Sequence, residues 1–309
     1  MFSTKGPADN GTMVHNRSDF YANMESGNKT TCFINEEFAY NLLIAIYSFT
    51  FIGGTIGTAI MSFLLYKTKT SSLTITAVIN LLVVHSIFLL TVPFRIVYYI
   101  QRTWVFGSEF CKMVSAMIHI HMYISFIFYV SLLVVRCISF FKQKDKIEFY
   151  RTLHSVAASG TVWTIILIVI IPLFFTQYGS SENNNGNVCF YFQVEFKWLS
   201  VIILNYVTVS VVFTVVCSLL VVQILIIAKV VKMQQSWALA NQQLWAQLKS
   251  LFFILVMIIC FFPFHMFRIY YIKHTQDCFF YNEICLSITA LSCLDLLSFA
   301  LQTCYQKAR

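Results

Sequence analysis

Charged side chains are rare inside the long apolar stretches of this sequence, and the few found there are the candidates for chemistry. Asp295 lies within one such stretch, and Arg95, Arg136 and Arg268 directly follow others. An unpaired acid at the centre of a membrane span costs about 2.5–3.5 kcal/mol on insertion scales, so Asp295 should face the protein interior. A guanidinium can bind a carboxylate or a phosphate through two parallel hydrogen bonds. The chemistry indicated is therefore internal charge pairing and recognition of an anion.

The sequence contains no metal-ligand cluster, phosphate-binding loop or nucleophile–base pairing. We therefore expect no enzymatic activity, no cofactor and no metal site. Hydrophobic residues make up 58% of the chain and charged residues 11%, with a mean hydropathy of +0.73. These values exclude a water-facing surface and indicate that the chain is solvated by a bilayer.

Seven apolar stretches are long enough to position these residues across a membrane, because a spanning helix needs about 20 apolar residues. We expect an all-α bundle of seven transmembrane helices and no separate soluble domain. The predicted spans are Phe38 to Tyr66, Thr70 to Phe94, Met113 to Val135, Thr152 to Ser181, Trp198 to Ala228, Ser250 to Phe267 and Ile284 to Gln306, the last interrupted by Asp295.

Loop charge predicts the orientation of the bundle in a cell membrane. One side carries twelve Lys and Arg residues against only Asp145 and Glu148, and basic loops stay in the cytoplasm. The other side includes a polar tail, residues 1–37, with glycosylation acceptors at Asn10, Asn16 and Asn28. We therefore expect an extracellular tail at 1–37, a transmembrane domain at 38–304 and a very short cytoplasmic tail at 305–309. The positive net charge arises from the inner face and implies no nucleic-acid partner.

Four cysteines lie on the predicted outer side, where disulfides persist. They are Cys32, Cys111, Cys189 and Cys278, and four cysteines permit three pairings. We favour Cys111–Cys189, which would tie the third helix to the second outer loop, together with Cys32–Cys278, which would tie the tail to the third outer loop.

Several motifs carry a family resemblance. Trp104–Val105–Phe106–Gly107 precedes Cys111, and Arg136 follows that cysteine by 25 residues. Cys260–Phe261–Phe262–Pro263–Phe264 has the form C-F-x-P-F, and Asp295 occupies the inner half of the last span. On these motifs the sequence resembles the rhodopsin-like G-protein-coupled receptors. His265 and Arg268 form an H-x-x-R pattern similar to that of the purinergic and related receptors.

The sequence departs from this family at switching positions. His85 stands where the family carries a sodium-binding aspartate, and the resemblance places it in one polar layer with Asp295. We predict that joint protonation of this pair replaces the sodium ion. Beside Arg136 the usual acid is Val135 and the usual tyrosine is Cys137. Two interpretations of Arg136 stay open: a weakened resting-state lock that raises basal signalling, or an ordinary arginine at the inner end of a helix.

The resemblance implies a ligand pocket that opens outward between the helices. Ile118 and Thr289 occupy the positions of the amine-binding aspartate and the retinal lysine, so we expect neither ligand. A small anion, such as a nucleotide or a fatty acid, fits the two outer arginines better, and a peptide is the other option. The candidate ligand-binding residues are Arg95, Tyr98, His119, Tyr123, His265, Arg268 and Asn282.

The resemblance also implies a heterotrimeric G protein as the inner partner and the plasma membrane as the location. Arg136, the segment 142–151 and the region 229–249 would face the G protein, and their positive charge also attracts anionic lipid. The switch residues we expect are Arg136, His85, Asp295, Phe261 and Pro263. Two rival functions are a non-signalling decoy, scavenger or dimerisation partner, and a channel or transporter.

Overall fold

The computed structural model describes residues 32, 34–67, 73–141, 160–161, 163–164, 189–190, 199–232, 237–274 and 278–308. Every regular element in these ranges is helical. Four expectations lie wholly or largely outside the described residues. They are the glycosylated tail with Asn10, Asn16 and Asn28, the basic segment 142–151, the predicted fourth span apart from four residues, and the last residue of the inner tail.

Six of the seven predicted spans are described as helices, and each is long and apolar enough to cross a membrane. We number them by the predicted spans as helices one, two, three, five, six and seven. Helices one to three are Glu36–Lys67, Leu73–Gln101 and Ser108–Phe141, and helix five is Leu199–Lys232. Helix six joins Trp237–Val256, Met257–Phe261 and Phe262–Tyr271, and helix seven joins Phe279–Ala290, Leu291–Leu294 and Asp295–Ala308.

Helix one begins where Asn35 caps it. The Asn35 side-chain oxygen accepts a hydrogen bond from the Glu37 backbone N–H at 2.9 Å, which satisfies one of the unpaired donors of the first turn. Glu36 and Glu37 place negative charge at the positive end of the helix dipole. The sequence therefore specifies this helix start locally.

Helix six contains one wide turn, the π-helical segment Met257–Phe261, which ends two residues before Pro263. A proline lacks an N–H, and its ring clashes with the carbonyl four residues earlier. Widening the turn removes that clash, and the Phe262 N–H bonds to the Met257 carbonyl five residues back. The C-F-x-P-F motif thus overlaps a π turn.

Helix seven is tightened at Leu291–Leu294, a 3-10 segment immediately before Asp295. The hydroxyls of Ser287, Thr289 and Ser292 each donate to the carbonyl three residues earlier, at 2.7, 2.6 and 2.8 Å. Such back-bonding competes with the helix ladder and bends helices. The segment has no proline, so these hydroxyls are the local cause of the irregular geometry.

Helix one packs closely against helix seven through small residues. A Cβ at Gly57 would lie 2.6 Å from the Leu297 backbone nitrogen, and one at Gly53 would collide with the Leu294 side chain. Glycines four residues apart allow helix backbones to approach in a membrane, where packing replaces the hydrophobic effect. Elsewhere on helix one, large apolar side chains such as Phe49 and Ile52 are exposed, as expected for positions that face lipid.

Candidate functional site

Arg268 lies buried in the outer half of the helix bundle, held by residues of two neighbouring helices. Its Nε donates to the Asn205 side-chain oxygen of helix five, and its Nη1 donates to that of Asn282 in helix seven, both at 3.1 Å. Its guanidinium also lies 5.5 Å from the Phe264 ring centroid. These contacts fix the orientation of the guanidinium plane between helices five, six and seven.

Three other predicted ligand residues lie around the same position. The His119 ring is 6.2 Å from the Phe264 ring, and the Tyr123 ring is 6.2 Å from the His265 ring. His119 Nδ1 donates to the Ser115 carbonyl at 3.1 Å. The structure therefore groups five of the seven predicted ligand residues, His119, Tyr123, His265, Arg268 and Asn282, which we call the Arg268 cluster.

Arg95 belongs to a different arrangement at the outer ends of helices two and seven. Its Nη1 lies 3.9 Å from the Glu283 carboxylate and donates to the Tyr47 hydroxyl at 3.3 Å. Its Nη2 donates to the Val114 carbonyl at 3.2 Å. Glu283 also accepts a hydrogen bond from the Tyr99 hydroxyl at 2.9 Å. The charge of Arg95 is thus balanced inside the protein.

An aromatic side chain from the second outer loop covers Arg95. Phe190 follows Cys189, which forms a disulfide with Cys111, and the Phe190 ring lies 4.2 Å from the Arg95 guanidinium. The Tyr98 ring is 5.0 Å from the same phenyl ring. Arg95 and Tyr98, both predicted ligand residues, therefore pack under the loop and not beside Arg268. The second outer disulfide joins Cys32 to Cys278.

A buried polar layer connects helices two, three and seven in the middle of the bundle. His85 Nε2 lies 3.2 Å from Asp295 Oδ1, which is an ion-pair distance, although neither atom has a partner at hydrogen-bond geometry among the described residues. Asp295 Oδ2 accepts a hydrogen bond from the Tyr129 hydroxyl at 2.7 Å. His85 and Asp295, which the family resemblance placed in one polar layer, are in contact.

The other side of His85 faces two residues that the sequence analysis did not single out. His85 Nδ1 lies 2.9 Å from His121 Nε2, and the same His121 nitrogen lies 3.4 Å from Cys293 Sγ. All three side chains are fully buried. The sequence analysis found no metal-ligand cluster, whereas the fold brings together three residues whose ligand atoms could hold a metal ion.

At the inner end, Arg136 contacts helix six instead of an acid in its own helix. Its Nη1 donates to the Ser250 hydroxyl at 3.3 Å, and its guanidinium lies 5.5 Å from the Phe253 ring. Gln223 of helix five bonds to the Gln247 side-chain and backbone oxygens at 2.9 and 3.0 Å. Two hydrogen-bonded contacts that involve no acidic residue thus fasten helix six to helices three and five.

The predicted switch residues Phe261 and Pro263 lie between the polar layer and the Arg268 cluster. Phe261 is fully buried, and its ring is 5.9 Å from that of Tyr129. Pro263 follows the π turn in the first turn of Phe262–Tyr271. Helix six thus carries side chains that belong to the Arg268 cluster, contact the buried polar layer, and bond to Arg136 and Gln223 at the inner end.

The family profile described as 7 transmembrane receptor (rhodopsin family) matches residues 56–298. The chain belongs to this family. The receptor is therefore a seven-helix bundle with an extracellular N-terminus, a multi-pass protein of the plasma membrane and a member of a signalling family, not an enzyme family. The predicted fourth span lies largely outside the described residues.

Curated relatives of the receptor are themselves receptors. Probable G-protein coupled receptor 141 of Homo sapiens is 51% identical over 264 residues, 83% of this chain and 87% of the relative. Probable G-protein coupled receptor 34 of Mus musculus is 26% identical over 309 residues, 94% and 82% respectively. Lysophosphatidic acid receptor 6 of Homo sapiens is 30% identical over 178 residues, 57% and 52% respectively.

Glu283 is the functional side chain of the receptor that sequence analysis placed least well. The seventh predicted span begins at Ile284, which leaves Glu283 outside the membrane. Helix seven instead begins at Phe279, so Glu283 lies one turn inside the helix and is buried. The available signal was Arg95, a buried arginine that needs a carboxylate partner.

Proposed function

We propose that this receptor binds a small anionic ligand in the outer half of its helix bundle and transmits the binding to a heterotrimeric G protein. The observation that carries the proposal is the placement of Arg268, whose Nε and Nη1 are held at 3.1 Å by two amide side chains. Asparagine oxygens orient a guanidinium and carry no formal charge. A guanidinium so oriented can bind a phosphate or a carboxylate through two parallel hydrogen bonds.

Arg95 is the less suitable anion site. The Glu283 carboxylate lies 3.9 Å from it and would repel a second anion, and the Phe190 ring stands 4.2 Å over its guanidinium. A ligand at Arg95 would have to displace both groups. We therefore assign ligand binding to the Arg268 cluster and a structural role to Arg95.

The chemistry of one relative suggests the first probes. Lysophosphatidic acid combines a phosphate monoester with a long apolar chain, and a receptor for it shares 30% identity with this chain over 178 residues. The phosphate would meet Arg268, and the apolar chain would lie against aromatic residues such as Tyr123 and Phe264. Fatty acids and nucleotides present the same anionic groups and complete the probe panel.

The test of the ligand is G-protein activation in cells that express the receptor, with lysophosphatidic acid, fatty acids and nucleotides as agonists. A hydrogen-bonded charge contributes about 1.5–3 kcal/mol, so we expect Arg268→Ala to lower agonist potency by about 10–100-fold. Arg102→Ala is the matched control, because Arg102 is an exposed outer arginine that lies over Tyr40. Equal potency for wild type and Arg268→Ala would remove Arg268 from the binding role.

The test of coupling compares basal and agonist-driven nucleotide exchange in wild type and Arg136→Ala at equal surface level. We expect the substitution to abolish exchange. The departures at Val135 and Cys137 favour a second candidate function, a non-signalling receptor that captures or retains its ligand. That function predicts ligand binding and uptake without exchange on any G protein.

A further inference from the structure

Three buried side chains from three different helices direct metal-ligating atoms toward one another. They are His85 of helix two, His121 of helix three and Cys293 of helix seven, and their ligand atoms all lie within 4.8 Å of one another. His85 Nδ1 is 2.9 Å from His121 Nε2, and that nitrogen is 3.4 Å from Cys293 Sγ. We infer that these residues form a binding site for a zinc ion inside the helix bundle.

The spacing suits the ion. With Zn–N bonds of about 2.0–2.1 Å and Zn–S bonds of about 2.3 Å, tetrahedral angles place two nitrogens about 3.3 Å apart and a nitrogen and a sulfur about 3.6 Å apart. The distances from His121 Nε2 therefore differ from these values by about 0.4 Å and about 0.2 Å. His85 Nδ1 and Cys293 Sγ lie within 4.8 Å of each other, so a side-chain shift of about 1 Å brings them to the separation that zinc requires. Imidazole and thiolate ligands favour zinc over sodium, calcium and magnesium, which bind oxygen.

The surroundings of His85 supply a carboxylate beside its second ring nitrogen, where a zinc-binding histidine usually has one. Such a histidine usually donates its second ring nitrogen to a carboxylate, which fixes the ring and raises its basicity. Here Nδ1 faces the cluster while Nε2 lies 3.2 Å from the Asp295 carboxylate. That carboxylate is itself held by the Tyr129 hydroxyl at 2.7 Å. On helix three, the ring of His121 is stacked on Phe88 at 4.3 Å.

The charges and the hydrogen-bonding capacity also favour an ion. His121 Nε2 has one lone pair, yet both a His85 N–H and the Cys293 thiol could donate to it. A cation instead uses the lone pairs of all three atoms at once. Zinc binding releases the Cys293 thiol proton and any proton on His85 Nδ1. The dication, the Cys293 thiolate and the Asp295 carboxylate then sum to zero charge, as a buried site requires.

The experiment measures metal in the full-length receptor, purified in detergent after expression with zinc in the medium so that the buried site fills during folding. We expect one tightly bound zinc per receptor by elemental mass spectrometry. Receptor expressed with cobalt should show a sulfur-to-cobalt charge-transfer band together with the visible absorption of a tetrahedral ion. Cys293→Ala should remove the band and the stoichiometric metal. Cys285→Ala, a half-buried cysteine on the same helix, should retain both.

A second variant separates loss of the ligand from loss of the fold. Asp295→Asn leaves all three ligands in place and removes only the carboxylate behind His85, so zinc affinity should fall by about 10–100-fold. Thermal unfolding of each variant without metal shows that it is folded. Wild type without bound zinc, or equal zinc in wild type and Cys293→Ala, overturns the proposal. Because the readout is metal content, its failure is separate from a failure of ligand binding or coupling.

Discussion

Removal of the Ser250 hydroxyl should raise basal signalling. In the structure Arg136 has no acid beside it in sequence, and its Nη1 donates to Ser250 Oγ of helix six. This hydrogen bond links helix three to helix six at the inner face, where a G protein would have to enter. If the bond stabilises the closed arrangement, Ser250→Ala shifts the population toward an open one.

The size of the effect follows from the geometry. A hydrogen bond from a charged donor contributes about 1.5–3 kcal/mol, and a length of 3.3 Å exceeds the usual range for N–H to oxygen. The lower end, about 1.5 kcal/mol, corresponds to about a tenfold change in the ratio of open to closed receptor. The Gln223–Gln247 contact is untouched, so helix six should stay partly fastened.

The assay is agonist-free nucleotide exchange on G proteins in membranes with matched surface receptor. Ser131→Ala is the control, because Ser131 is an exposed serine of helix three that bonds to its own Ile127 carbonyl. We expect a rise of up to about tenfold for Ser250→Ala and none for Ser131→Ala. An unchanged basal rate would show that the Arg136–Ser250 bond does not stabilise the closed arrangement. A lower rate would assign this bond to the signalling state.

Two further predictions concern stability. Glu283→Gln leaves Arg95 buried without its carboxylate and should lower the free energy of unfolding by about 3 kcal/mol. This is the low end of the range for a broken buried ion pair, because the contact is 3.9 Å long. A lowered Tm in detergent checks the prediction, and an unchanged Tm would show that the pair contributes nothing. Gly57→Ala puts a methyl group 2.6 Å from the Leu297 backbone, whereas the methyl group of Gly160→Ala meets nothing within 4 Å. Only the first substitution should therefore reduce the amount of folded receptor at the cell surface, measured by immunoassay.

Sequence reasoning succeeded where the signal is local or is set by the membrane. Apolar length located six described helices but not all of their ends, because helix six begins at Trp237 and helix two ends at Gln101, well outside the predicted spans. The C-F-x-P-F motif marked the irregular turn at Met257–Phe261. Loop charge gave an orientation that agrees with the family. Hydropathy cannot indicate which polar residues face each other, so only the family resemblance connected His85 with Asp295.

The parts that were missed depend on contacts between distant residues. His121 is 36 residues from His85 and 172 from Cys293, and no spacing rule connects positions so far apart. Glu283 was missed because an acid close to a predicted helix end was assumed to face water. The pairing of Arg95 with Glu283 then separated Arg95 from Arg268, although the two had appeared equivalent in sequence.

The π turn of helix six sets the direction in which the side chains beyond it point around the helix axis. A π turn holds one more residue than an α turn, and each residue of an α-helix advances the side-chain direction by about 100°. Deletion of one residue within Met257–Phe261 would remove the extra residue of the wide turn while the inner half of the helix stays in place. The outer half would then turn by about 100°, carrying Arg268 away from Asn205 and Asn282 while leaving the contact of Arg136 with Ser250 intact.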